Sequence, residues 1–106
     1  MFDAGTIAVG QTKPVTINGN VAKFSFIPEN NGNYRIYSTG DEDTVGAIFN
    51  SNGNMITSND DGSGHNFMIN TDLTGGETYY IHTTLYGYEN SGNFNLVVEE
   101  MYDDEP

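Results

Sequence analysis

The sequence TGDEDTVGAIFNSNGNMITSNDDGSGHNFMIN, residues 39–70, contains the pattern that decides the fold. Three short apolar segments lie in it, at residues 45–49, 55–57 and 67–69, with polar turns between them. The Asn52-Gly53 dipeptide between the first two segments is typical of a tight hairpin turn, because both residues tolerate a positive φ. The stretch therefore predicts three short β-strands joined by turns.

The rest of the chain repeats this pattern of short alternating segments and polar turns. Further strands are predicted at residues 15–17, 22–27, 33–39, 77–86 and 93–99. A second Asn-Gly turn is predicted at Asn18-Gly19, and alternation in residues 33–39 places Tyr34, Ile36 and Ser38 on one face. No long segment has apolar residues at helical spacing, so essentially no helix is expected. About seven to nine short strands with turns between them predict an all-β fold, an antiparallel β-sandwich in which two sheets enclose one core.

The chain of 106 residues has the size of one domain. We assign residues 1–99 to a single β-sandwich domain and residues 100–106 to an acidic tail or linker remnant. The N-terminal residues are neither basic nor apolar enough for a signal peptide or a membrane span, so if the domain is exported, its signal is expected on a longer parent chain. With no cysteine in the sequence, no disulfide is expected.

The charge balance is strongly acidic, with 3 lysine and arginine residues against 15 aspartate and glutamate residues and a formal net charge of −12. Such a surface repels phosphate backbones and anionic lipids, which argues against nucleic-acid binding and membrane insertion. Neutral polymers, cations and basic proteins remain as partners. The alternative is that the charge has no binding role and only keeps an extracellular domain soluble.

Several short motifs, in a fixed order, carry a family resemblance. They are Gly32-Asn33-Tyr34, Asp43-Thr44, Ile48-Phe49, Gly53, Asn59-Asp60-Asp61, Leu73, Gly75-Gly76-Glu77-Thr78-Tyr79-Tyr80 and Ser91-Gly92-Asn93-Phe94-Asn95-Leu96. Together they resemble the bacterial pre-peptidase C-terminal domain over residues 24–98. The resemblance implies a jelly-roll-like β-sandwich without catalytic activity. It also implies a module of a secreted peptidase, another hydrolase or a surface protein, where it aids secretion, positioning or substrate binding.

Residues 86–94 are also similar to the collagen-binding domain of clostridial collagenases, a relative of that family. This resemblance implies that Tyr86 and Tyr88 contact a collagen-like ligand. The chain departs from the pattern at Ser58, where a third contacting aromatic residue is expected. It departs again at residues 19–22, which lack the acidic run that helps to bind calcium in that domain. That calcium site is therefore not carried over.

Residues 77–86 form the most informative predicted strand. One face carries Tyr79, Ile81, Thr83 and Leu85, and the other carries Tyr80, His82, Thr84 and Tyr86. With the first face inward, the candidate ligand-binding residues are Tyr80, His82, Tyr86 and Tyr88, widened by Tyr37 from a neighbouring strand. Exposed tyrosines combine a flat apolar area with a hydroxyl, which suits sugar rings or a proline-rich triple helix. They would equally shield the sheet from water or pack on an adjacent domain.

The sequence contains no recognisable catalytic site. There is no cysteine, no Gly-x-Ser-x-Gly motif and no zinc-binding spacing of the two histidines, His65 and His82. We therefore predict that the domain is not an enzyme and requires no cofactor.

Two acidic loops form a candidate calcium site. Asp41, Asp43, Asp60 and Asp61 supply the hard oxygen ligands that Ca²⁺ prefers. The alternative is structural: Asp43 and Asp60 cap turns by accepting hydrogen bonds from backbone amides.

Two hypotheses on function follow from the sequence. In the first, the chain is a non-catalytic accessory module of a secreted or cell-surface bacterial protein, beside neighbouring domains of a larger parent chain. It would bind an extracellular polysaccharide or a fibrous, collagen-like protein through the exposed tyrosines. In the alternative it is a structural spacer or a folding or secretion aid, with or without calcium, and has no ligand of its own.

Overall fold

The computed structural model describes residues 1–60, 64–87 and 91–101. Within these ranges the regular structure consists of nine β-strands, and no residue is helical. The strands are β1 (Phe2–Thr6), β2 (Thr12–Asn18), β3 (Ala22–Phe26), β4 (Gly32–Thr39), β5 (Thr44–Phe49), β6 (Met55–Asn59), β7 (Met68–Leu73), β8 (Tyr79–Leu85) and β9 (Ser91–Met101). A search of the same residues for a helix long and apolar enough to cross a membrane finds none.

The strands form two sheets that pack face to face. The five-stranded sheet has the order β1-β3-β8-β5-β6, and the four-stranded sheet has the order β2-β9-β4-β7. The pairs are antiparallel except β1 with β3, which run parallel. The prediction of an all-β sandwich is therefore confirmed. The sequence did not predict β1, and with it the one parallel pair among the described strands.

Alternation along each strand produces the core. In β4, Tyr34, Ile36 and Ser38 are buried between the sheets, whereas Arg35 and Tyr37 face outward and are half-buried. The fully buried apolar side chains come from both sheets, among them Phe26, Tyr34, Ile36, Ile48, Phe67, Ile81, Leu96 and Val98. Phe26 and Tyr34 meet edge to face across the sandwich, with ring centroids 5.6 Å apart, a favoured geometry for aromatic pairs.

Residues 39–70 carry the chain from one sheet to the other and back. β4 and β7 belong to the four-stranded sheet, whereas β5 and β6, between them in sequence, belong to the five-stranded sheet. Buried polar side chains hold this crossover together. The hydroxyls of Ser38 and Thr44 are 2.6 Å apart, and Thr44 Oγ1 accepts a hydrogen bond from the backbone N–H of Phe67 at 3.0 Å. Ser38 Oγ also donates to Asn66 Oδ1 at 2.8 Å.

The turns follow the sequence prediction more closely than the strand ends do. Gly19 and Gly53 have φ of 77° and 86°, a region that favours glycine, at the two predicted Asn-Gly turns. The strand β8 is shorter than the predicted residues 77–86, because it begins at Tyr79 and ends at Leu85. By contrast β9 runs on to Met101, so Glu100 and Met101 extend a strand where the sequence interpretation placed a tail. Residues 102–106 lie outside the described ranges.

Candidate binding face

Two of the predicted ligand-binding residues, Tyr80 and His82, lie together on the outer surface of the five-stranded sheet. Tyr80 and His82 point outward from β8, as the alternation predicted, and both are half-buried. The register places Tyr80 opposite Phe49 of β5, and His82 opposite Lys23 of β3. We call Lys23, Phe49, Tyr80 and His82 the aromatic face.

The four side chains of the aromatic face form two interacting pairs. The rings of Phe49 and His82 lie with centroids 4.2 Å apart and planes inclined by 34°. Lys23 Nζ lies 5.3 Å from the centroid of the Tyr80 ring, which is within range of a cation–π interaction. Together with Met1 and Gly53 they line a surface depression of ≈ 260 Å³.

Sequence reasoning missed two members of the aromatic face, Phe49 and Lys23. The alternation in their own strands does point both outward, since Phe24 and Ile48 beside them are buried. What the sequence lacked was the order of the strands, because only the pairing of β8 with both β3 and β5 brings these side chains to His82 and Tyr80.

The environment of His82 favours its neutral form. Burial lowers the pKa of His82 below the ordinary value of 6.5, and the positive charge of Lys23 lowers it further. As the pH falls, His82 is therefore protonated near pH 6.5 in the unfolded chain but only at a lower pH in the folded chain. The contribution of His82 to the free energy of unfolding should decrease on acidification until its folded pKa is passed.

An NMR titration of the histidine ring protons tests this assignment. His82 is expected to titrate below 6.5, and Lys23→Met is expected to raise its pKa only in part, because burial is the larger cause. A His82 pKa at or above 6.5, or one that Lys23→Met lowers, would contradict the packing described here.

The other two predicted tyrosines lie beyond the end of β8. Tyr86 is 50% exposed, and its backbone N–H donates to the carbonyl of Asp43 at 2.8 Å. Tyr86 lies six positions after Tyr80 in the sequence, which corresponds to about 20 Å along an extended strand. Tyr88 lies outside the described residues. The predicted ligand-binding residues of β8 and the loop after it are thus divided between the aromatic face and a separate position at Tyr86.

Tyr37 does not extend this face, and that part of the prediction is wrong. β4 pairs with β7 and β9, so Tyr37 lies on the outer side of the four-stranded sheet, across the sandwich from His82. Its hydroxyl donates to Glu99 Oε2 at 2.8 Å. Burial raises the pKa of Tyr37 above 10.0, and the hydrogen bond and charge of Glu99 raise it further against the opposing effect of Arg35.

The outer face of the four-stranded sheet satisfies its own polar groups. Four hydrogen bonds between side chains of adjacent strands cross it: Thr16 to Asn93, Asn33 to Asp72, Arg35 to Asn70 and Tyr37 to Glu99. On the aromatic face, by contrast, the side chains of Lys23, Tyr80 and His82 make no hydrogen bond to another described residue. Their donors and acceptors remain available to a ligand.

The acidic loops give no metal site among the described residues. Asp41 is exposed, Asp43 and Asp60 are half-buried, and Asp61 lies outside the described ranges. No three His, Cys, Asp or Glu side chains in the described part of the chain are grouped so as to hold a metal ion. Since Asp61 belongs to the predicted ligand set, calcium binding stays a prediction.

Turn-capping in these loops falls to other residues than the predicted Asp43. The Asp43 carboxylate has Oδ2 3.7 Å from His65 Nδ1, and its buried Oδ1 has no hydrogen-bond partner. Nearby backbone N–H groups instead donate to other side chains: that of Phe67 donates to Thr44 Oγ1, and that of Met68 donates to Asn59 Oδ1. Thr44 directly follows Asp43 in sequence, so the cap lies one residue from the predicted position, whereas capping by Asp60 stays a prediction because residues 61–63 lie outside the described ranges.

Comparison with known proteins identifies the fold. No family model and no curated protein sequence matches this chain. The pre-peptidase C-terminal domain of collagenase from Bacillus anthracis is similar in structure, with a TM-score of 0.75 and 15% sequence identity, over 93% of this chain and 98% of that one. So is PliG from Aeromonas hydrophila, a periplasmic inhibitor of g-type lysozyme, with a TM-score of 0.61 and 13% identity, over 92% of this chain and 100% of that one. The chain therefore has the fold that the sequence resemblance implied.

Proposed function

From the fold that it shares with a pre-peptidase C-terminal domain, we propose that this chain is a non-catalytic accessory module of a secreted or cell-surface bacterial protein. It binds an extended extracellular polymer, a polysaccharide or a collagen-like protein, on the outer side of the five-stranded sheet. The aromatic face makes the principal contact, and Tyr86 makes a second one.

The contrast between the two outer faces carries this proposal. The four-stranded sheet uses its outward polar groups in cross-strand hydrogen bonds, including the Tyr37 hydroxyl. The aromatic face leaves the polar ends of Lys23, Tyr80 and His82 without such partners among the described residues. Aromatic side chains with unused polar ends are typical of binding surfaces.

The spacing along β8 supports an extended ligand. Tyr80 and Tyr86 lie about 20 Å apart along the strand direction, which is farther than one small molecule reaches. A polymer that runs parallel to β8 contacts both positions with successive units. Two weak contacts on one chain act together, because the second forms at a high effective concentration once the first is made.

Charge and location support the same class of ligand. The formal net charge of −12 disfavours nucleic acids and anionic membranes but not neutral polymers. One protein of similar fold is a collagenase domain and another is periplasmic, which supports a place outside the cytoplasm for this chain as well.

Retention on insoluble polymers tests the proposal. The wild-type domain is expected to bind at least one of a panel of cellulose, chitin, xylan and fibrillar collagen. Tyr80→Ala combined with Tyr86→Ala should weaken that binding about tenfold or more, as the loss of central aromatic contacts does elsewhere. Tyr37→Phe, on the opposite sheet, is the matched control and should bind like the wild type.

Two outcomes would contradict the proposal. Failure of the wild-type domain to bind any of the polymers favours the alternative of a spacer or folding aid. Binding that Tyr80→Ala and Tyr86→Ala leave unchanged places the contact elsewhere. Thermal unfolding of each variant shows whether a loss of binding reflects a loss of fold.

A further inference from the structure

We propose that the depression between Lys23, Phe49 and His82 is a subsite for a single neutral sugar ring of a polysaccharide. This inference rests on the proposed function and narrows its ligand class from polymers in general to neutral polysaccharides. Phe49 and His82 provide the surface on which the ring stacks, and Lys23 and Tyr80 provide hydrogen bonds to its hydroxyls.

The size of the depression suits one ring. Its volume is ≈ 260 Å³. Pockets for drug-sized ligands start at about 300 Å³, so this one accepts a single small unit of a longer chain. The outer surface of the sheet continues beyond the depression along β8, so it leaves room for the neighbouring units of a polymer.

The apolar part of the subsite is a stacked pair of rings. The centroids of the Phe49 and His82 rings lie 4.2 Å apart and the planes are inclined by 34°, so one face of each ring packs on the other, and the remaining faces and edges border the depression that both residues line. The C–H groups on one side of a pyranose ring pack on an aromatic ring through apolar contact, and the partial negative charge of the ring face attracts them.

The polar part of the subsite lies around this apolar surface. Lys23 offers three N–H donors, Tyr80 a hydroxyl that both donates and accepts, and His82 one donor and one acceptor in its neutral form. A sugar ring has an apolar side and several hydroxyls at its rim, so it matches both the apolar and the polar part of the subsite. A proline ring of a collagen-like chain matches only the apolar part.

Charge selects a neutral sugar over an acidic one. The whole chain has only 3 lysine and arginine residues against 15 acidic residues. One of the three, Arg35, lies on the other sheet and donates to Asn70. Lys23 is thus the one lysine or arginine of the aromatic face, and it does not offset the repulsion that a polyanion meets on approaching this protein.

Titrations with soluble oligosaccharides test the subsite. Neutral oligomers of glucose, xylose and N-acetylglucosamine are compared with oligogalacturonate and with a collagen-model peptide, using the wild-type domain and single variants. At least one neutral oligomer is expected to bind more tightly than the acidic oligomer and the peptide. Phe49→Ala should weaken its binding about tenfold and Lys23→Met several-fold.

Two further variants make the result specific. Phe49→Tyr keeps the flat ring and should bind like the wild type, which separates lost stacking from lost folding. Tyr37→Phe should leave the binding of a short neutral oligomer unchanged, because Tyr37 lies on the outer side of the other sheet.

The outcomes separate this inference from the proposed function. If the peptide or the acidic oligomer binds best, or if Phe49→Ala binds like the wild type, the sugar subsite is wrong while polymer binding stands. If the wild type binds no polymer, soluble or insoluble, both are wrong.

Discussion

Gly46→Ala is expected to destabilise the domain by about 3 kcal/mol, near the upper end of the usual cost of overpacking a core. A Cβ at Gly46 would lie 2.3 to 2.5 Å from three atoms of the Phe67 ring. Phe67 is fully buried, so its ring has no free space into which to move. The midpoint of urea-induced unfolding measures the effect, with the slope m unchanged.

Two variants control for other causes of this effect. Gly92→Ala also adds a Cβ in a strand, but there the three nearest atoms belong to the carboxylate of Glu42, the far end of a flexible, half-buried side chain. It should change the free energy of unfolding by less than about 0.5 kcal/mol. Phe67→Leu in the Gly46→Ala background should restore part of the loss, since the two positions compete for the same space. Equal effects of Gly46→Ala and Gly92→Ala would contradict the packing.

Thr44→Val is expected to destabilise the domain by about 2–3 kcal/mol, because it leaves a buried N–H without its acceptor. Thr44 is fully buried, and its Oγ1 is the acceptor for the backbone N–H of Phe67 at 3.0 Å. Its hydroxyl also bonds that of Ser38 at 2.6 Å. Valine has nearly the same shape, so the loss reports the hydrogen bonds rather than a cavity.

Thr16→Val is the matched control for this prediction. Thr16 also makes a side-chain hydrogen bond, to Asn93 at 2.8 Å, but it is exposed and water replaces the lost partner. We expect a change below about 0.5 kcal/mol in urea unfolding. Ser38→Ala combined with Thr44→Val should cost less than the sum of the single changes, since both belong to one network. A Thr44→Val protein as stable as the wild type would contradict the role of this network.

Local pattern was enough to predict most of the strands. The structure confirms the alternation of Tyr34, Ile36 and Ser38 with outward residues, and it confirms the Asn-Gly turns at Gly19 and Gly53. β1 was missed because its five residues, FDAGT, include a glycine and only two apolar side chains that pack on the core. A strand of this kind is held by its pairing with β3, which the sequence does not reveal.

The candidate site was predictable only as far as alternation reaches. Alternation placed Tyr80 and His82 outward, but it does not say which sheet a strand joins. Tyr37 was therefore assigned to the wrong side of the sandwich, and Phe49 and Lys23 were not assigned to the site at all. The strand order depends on contacts between residues far apart in sequence, which no local pattern encodes.

A map of backbone amide shifts on titration with a soluble oligomer of the bound polymer tests the central claim most directly. We predict that the shifts concentrate around Lys23, Phe49 and His82, in β3, β5 and β8. Shifts concentrated around Tyr37, in β4 and β9, or no shifts at all, would contradict a binding role for the aromatic face.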